Sequence, residues 1–302
     1  IAVDHEGGQI WRFHEGFTHI PSAKRLGQIY EADESEKKQA ALHYIFICGQ
    51  YMAKELIECG IDLSLAPVLD IDGQSTIIGG RERAFHSNPK TVAIIAQAFI
   101  QGMKAAGMPA TGKHFPGHGF CKPDSHQTLP VDDRSWEKLR EDLYPFQTLI
   151  QNKCLSAIMP AHIIYPAVDR ENTAGFSSKW LSMIRDSFDG KDLCIMSDCL
   201  SMKAVGDKSP LERLQAAQKA GCDFLMLTHQ HQEALTTLLS VIDTIKDTPA
   251  SSKQREIFAS QCQGFRFYLE SPSPILVDRG ERPTEKPLPD PEEKKPSAVF
   301  KT

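Results

Sequence analysis

The stretch MPATGKHFPGHGFCKPDSH, residues 108–126, decides how the chain folds. Its first half, 110–115, is a short run of the kind that pairs inside a parallel sheet. The second half turns polar and carries the turn formers Gly117, Gly119 and Pro123. Three histidines, two lysines and an aspartate crowd into 113–126. A strand that ends in a loop dense with functional groups is the layout of a parallel α/β protein, whose chemistry hangs from the C-terminal ends of its strands.

Outward from this segment the layout recurs. Strand candidates lie at 1–4, 63–70, 110–115, 156–162, 193–198 and 223–228, each followed by a polar loop. Helical patterns fall between and after them, at 34–59, 89–106, 135–152, 177–188, 210–220, 231–244 and 252–269. Ser135 ahead of one helix and Pro210 at the first position of another are start signals. A closed barrel needs eight βα units, and the chain opens at Ile1 directly in a strand, without an initiator methionine. The expected fold is therefore α/β, a TIM-type (β/α)8 barrel lacking its first two βα units in this chain, over residues 1–270. An open doubly wound sheet is disfavoured because Gly7 and Gly8 lack the GxGxxG spacing of a phosphate loop. Residues 271–302 hold seven of the 19 prolines and the charged run PDPEEKK, which reads as a disordered tail.

Composition narrows the class of function. Of 302 residues, 41% are hydrophobic and 24% charged, which excludes a disordered or collagenous chain. A net charge of -5 leaves no electrostatic footprint for nucleic acid. The eight cysteines are scattered singly through apolar elements, as in a reduced cytoplasmic protein. No apolar run reaches the ~18 residues of a membrane span, and no signal layout opens the chain. A cytoplasmic monomer with a small-molecule substrate is expected.

In a parallel barrel the strand ends nominate the site. Here they offer Asp4, His5, Asp70, Lys113, His114, His162, Asp198, and the run from Thr228 to His231. Asp198 closes the apolar run LCIMS, so its carboxylate would be carried on a rigid element at the barrel mouth.

KHFPGHG followed by DSH resembles the β-N-acetylhexosaminidases of glycoside hydrolase family 3. AVDHEGGQIWRF, APVLDI, GGRERAFHSNP, IMPAHIIYPAVD and IMSDCLSMKA match the same family in the same order, and the resemblance covers residues 1 to about 230. The DSH element resembles the branch that acts on N-acetylglucosaminides. The resemblance implies a retaining exo-β-N-acetylglucosaminidase that works through a covalent glycosyl-enzyme, with muropeptides from the cell wall as substrates. It implies no cofactor and no metal. Asp198 fits the nucleophile. By the same resemblance His126 is the acid/base, oriented by Asp124; an imidazole with a pKa near ~6.5 can give and reclaim a proton at neutral pH. Substrate positioning falls to Asp4, Arg12, Arg83, Lys113 and His114 by their places in the matching motifs, with Arg81 competing for the role of Arg83. His118 and His162 are expected to be structural, and Cys199 a buried inert thiol.

Two rival readings stay open. A metal-dependent barrel hydrolase could draw ligands from His114, His118, His162, Asp198, His229 and His231. A truncated, inactive sugar-binding relative would keep the motifs without turnover.

Overall fold

The computed structural model describes residues 1–32, 37–121, 129–202, 205, 208–228, 253, 256 and 275–277. In chain order its main elements are β1 (Ala2–Val3), α1 (Ala23–Ala32), α2 (Lys38–Glu58), β2 (Leu63–Ser64), α3 (Pro89–Ala105), β3 (Thr111–Phe115), α4 (Trp136–Gln151), β4 (Ala157–Pro160), β5 (Ile164–Tyr165), β6 (Asp169–Thr173), α5 (Ser178–Ser182), β7 (Cys194–Ile195), α6 (Pro210–Ala220), β8 (Leu225–Leu227) and β9 (Ile275–Val277).

The parallel strands add in sequence order. β1 pairs with β2 through Ala2 and Leu63. Beyond β2, Val68 bridges Lys113 of β3. β3 pairs with β4, and β4 with β7. Met196, just past β7, bridges Phe224, just ahead of β8, and β8 pairs with β9. Each strand lies beside its predecessor, whereas a doubly wound sheet reverses its order at a switch point. No such reversal occurs among the described residues. The domain is an α/β unit of parallel strands and helices, and all six strand candidates take part in it.

Local chemistry explains the helices. Asn88 caps α3, its side chain accepting from the backbone N–H groups of Lys90 and Thr91, and Pro89 occupies the first turn. Ser209 and Glu212 form a reciprocal capping box on α6, and Gly221 ends that helix in the left-handed region. The helical pattern at 177–188 resolves into α5 and a π-helical turn, Met183–Ser187. α2 and α3 pack backbone to backbone. A Cβ on Gly49 would run into the Phe99 carbonyl oxygen, and one on Gly102 into that of Phe46. Around this contact a core gathers Ile45, Met52, Leu56, Val92, Ile95 and Phe99.

Three features depart from the sequence expectation. α1 is a separate helix, started by Pro21 and by Ser22, whose hydroxyl accepts from the Arg25 N–H. β5 and β6 form an antiparallel hairpin between β4 and β7; its second strand, DRENT, is exposed at 170–172 and has no apolar alternation to announce it. Ile275, Leu276 and Val277, inside the stretch read as a tail, pair with Leu225, Met226 and Leu227. The helical patterns at 231–244 and 252–269 fall almost wholly outside the described residues.

Candidate active site

β3 is buried along its whole length, yet its sequence TGKHF places a lysine and a histidine there. A fully buried lysine needs partners, and Lys113, 1% exposed, has two. Its Nζ lies 2.6 Å from Asp4 Oδ1 and 2.6 Å from Glu6 Oε1. The Glu6 side chain, 7% exposed, also receives a forked pair of bonds from Arg83, Nε to Oε2 at 2.8 Å and Nη2 to Oε1 at 2.7 Å. Two cations thus face two carboxylates, the arrangement that makes charge burial tolerable. Burial pushes the Glu6 carboxyl up, but Lys113 and Arg83 outweigh it and hold Glu6 well below the usual carboxylate range. Burial likewise works against the charge on Lys113, and Asp4 and Glu6 keep the ammonium ionised. Asp4 has a side chain 43% exposed and is the member that meets solvent.

Beside this network Asp70, with no exposed surface, accepts the backbone N–H of His114 at 3.1 Å and that of His118 at 2.8 Å. Its Oδ2 lies 2.7 Å from His114 Nδ1. Burial raises the Asp70 carboxyl, and His114 more than offsets it. An ionised carboxylate only accepts, so Nδ1 carries the proton and Nε2 is the nitrogen left for other partners. The His118 ring lies edge to face with His114 at 5.7 Å between centroids. Burial, and then His114, pushes His118 down to about 4. The peptide bonds Lys113–His114 and Phe115–Pro116 are cis.

Asp198 follows β7 half-buried, and its Oδ1 accepts the Cys199 N–H at 2.7 Å. Its charge opposes the burial that lowers His162 and His118, which places it within electrostatic reach of both rings. His162, buried just beyond β4, lies tilted against Phe176 with 5.4 Å between ring centroids. Cys199 is buried and accepts from the Thr228 hydroxyl at 2.9 Å.

The structure therefore brings Asp4, Lys113 and Arg83 together through Glu6, and sets His114 on Asp70. It does not bring the guanidinium of Arg12 into that network: Arg12 is exposed, and its backbone N–H donates to His5 Nδ1 at 3.3 Å. Arg83, rather than the exposed Arg81, enters the cluster. Its fork is taken up by Glu6 and the Ile77 carbonyl, so it braces the site from within. Asp124 and His126 lie outside the described residues. Sequence reasoning passed over Glu6, which lies beyond the end of β1 in the loop ahead of Gly7 and Gly8. Asp70 stood among the strand-end groups without a role. Among the described residues no three His, Cys, Asp or Glu side chains gather as a metal site would require. No helix among those residues is long and apolar enough to cross a membrane.

A parallel α/β domain with buried cation–carboxylate pairs and a half-buried aspartate at its strand ends has the layout of an α/β enzyme, whose functional groups gather at the strand ends. Residues 1–257 match the glycosyl hydrolase family 3 N-terminal domain, and the chain belongs to that family. It is 44% identical over 237 residues to a beta-hexosaminidase of Nitrosospira multiformis, covering 78% of this chain and 66% of that protein. To a beta-hexosaminidase of Chromobacterium violaceum it is 39% identical over 274 residues, covering 90% and 75%. The chain thus spans about two thirds to three quarters of the length of these curated relatives. Among solved structures, NagZ from Neisseria gonorrhoeae in complex with N-trifluoroacetyl-D-glucosamine superposes with a TM-score of 0.74 at 37% identity, over 89% of this chain and 79% of that one. A family 3 beta-N-acetylglucosaminidase from Paenibacillus superposes with a TM-score of 0.75 at 26% identity, over 94% and 53%.

Proposed function

We propose that the chain carries the catalytic domain of a retaining exo-β-N-acetylglucosaminidase that removes terminal β-linked N-acetylglucosamine, with muropeptides as substrates in the cytoplasm. The observation that supports it most is the joint between Asp4 and Lys113. An exposed carboxylate held by a buried ammonium is a pre-set acceptor for sugar hydroxyls, and its orientation is fixed before substrate arrives. His114 adds a second polar contact through Nε2, its ring fixed from behind by Asp70. The sequential parallel order of the strands is that of an arc of a (β/α)8 barrel, the fold in which such groups converge on one face.

In the reaction, an Asp198 oxygen attacks the anomeric carbon while the bond to the leaving oxygen breaks. His126, oriented by Asp124, gives that oxygen its proton. Water then attacks the anomeric carbon of the glycosyl-aspartate and passes a proton to His126. Asp198 leaves as the free carboxylate, and two displacements return the original β configuration. Asp198→Asn should bind substrate nearly as well and form no covalent intermediate, because a neutral amide is not a nucleophile. Trapping with a fluorinated N-acetylglucosaminide, followed by digestion and mass mapping, should place the label on Asp198. A label on another carboxylate, or a first-formed α product, overturns this mechanism.

A further inference from the structure

A second buried charge cluster takes no part in the steps above. Arg134 grips Asp132 with Nε at 2.9 and 3.1 Å and Nη2 at 2.7 Å, and donates from Nη1 to Asp142 Oδ2 at 2.8 Å. Its guanidinium lies over the Phe120 ring, 4.0 Å from the centroid. Asp132 and Asp142 are 4% and 1% exposed. The cluster joins what flanks residues 122–128 on both sides. On the near side are Phe120, Cys121, and Gly117, which packs so closely on Asp142 that a Cβ there would sit 2.6 Å from the aspartate Cβ. On the far side, Asp132 N–H donates to the Ile164 carbonyl at 2.9 Å, and Ile164 N–H to the Pro130 carbonyl at 3.0 Å. Cys121 Sγ reaches the Val131 carbonyl at 3.8 Å, and the Tyr165 hydroxyl donates to the Gly117 carbonyl at 2.7 Å. The hairpin β5–β6 thus carries one flank, α4 supplies Asp142, and Arg134 ties both to the ring of Phe120.

We propose that Arg134, with Asp132, Asp142 and Phe120, is a positioning site for proton delivery: it fixes both flanks of the segment that contains Asp124 and His126, and so sets where the imidazole meets the leaving oxygen. The inference rests on the reading of His126 as acid/base. It also accounts for the composition of the cluster. Two buried carboxylates on one guanidinium are an unfavourable charge balance for stability alone, and burial pushes Asp142 up to about 7 even with Arg134 beside it. A planar fork gripping two separate elements gives angular definition that an apolar plug would not.

The experiment compares Arg134→Met, His126→Ala and the double variant in the full chain. Two N-acetylglucosaminides serve as substrates, one with an activated dinitrophenyl leaving group and one with an alkyl leaving group that must be protonated. Arg134→Met should lose on the order of 10²-fold in kcat on the alkyl glycoside and keep nearly all of its rate on the dinitrophenyl one. The double variant should be no slower than His126→Ala, because both changes remove one function. Equal loss on both substrates, or a double variant slower by the product of the single effects, overturns the positioning role. If His126→Ala itself shows no leaving-group dependence, the acid/base reading falls and this inference with it. If His126→Ala is selective and Arg134→Met is not, the inference alone falls. Should Arg134→Met not fold, Phe120→Leu, which removes only the stacked ring, carries the same expectations.

Discussion

Glu6 shows how much can hang on one side chain. It is the common partner of Lys113 and Arg83, and without its charge Lys113 keeps only the half-exposed Asp4 as an ion-pair partner and Arg83 loses the carboxylate its fork grips. Glu6→Gln keeps the shape and removes the charge, so it should cost about 3–5 kcal/mol, the penalty for breaking a buried pair from one side. Urea melts would measure it. A loss under ~1 kcal/mol would mean that hydrogen bonding alone holds the network. Lys113 and His114 were legible in the sequence because a charged pair interrupts a buried strand, and Asp198 because it ends an apolar run. Glu6 was not, since an acidic residue before two glycines reads as an ordinary turn. The inward course of Arg83, against the outward course of Arg81, depends on the turn Gly79–Arg81, whose geometry no local pattern encodes.

At the scale of elements, α2 and α3 meet through Gly49 and Gly102, whose missing side chains let the Phe46 and Phe99 carbonyls approach. Glycine to alanine in an exposed helix stabilises by about 1 kcal/mol. Here the sign should reverse: Gly102→Ala would drive a methyl into backbone that cannot yield, and should destabilise by roughly 2–3 kcal/mol, as overpacking does. A neutral or raised melting temperature would show that the helices can slide apart freely. Elements with strong periodicity or caps, such as α3 and α6, were legible almost to the residue. α1 was not, because the Pro21–Ser22 start lies close behind the loop that follows β1, and its helix is short. The hairpin β5–β6 was hidden for a different reason. Its register is set by turn bonds, with the Asp169 carboxylate accepting from Glu171 and Asn172, rather than by an apolar face.

For the whole molecule, buried titratable groups set how stability follows pH. Burial foremost pushes His5 and His118 down to about 4, and lowers His162 as well. Each is neutral when folded and takes up a proton on unfolding below its unfolded value near ~6.5. Their contribution is complete above that value and is lost as pH falls toward 4. Asp142 runs the other way: raised by burial to about 7 despite Arg134, and with Asp132 and Asp70 adding to the rise, it stabilises most below about 4 and its contribution is lost as pH rises through 7. Between pH 6.5 and 4.5 the histidines outnumber it, so stability should fall on acidification with a net uptake of about one to two protons on unfolding. Asp142→Asn should steepen that slope by about one proton. Denaturant melts across the window give both values, and stability that rises on acidification would refute the assignment. The strand order has a temporal consequence. Because each parallel strand docks beside its predecessor, a chain leaving the ribosome finds its partner already made, and Asp4, Glu6, Asp70, Arg83, Lys113 and His114 can all meet before Asp198 is synthesised. The nascent domain forms its buried charge network first and receives Asp198 last.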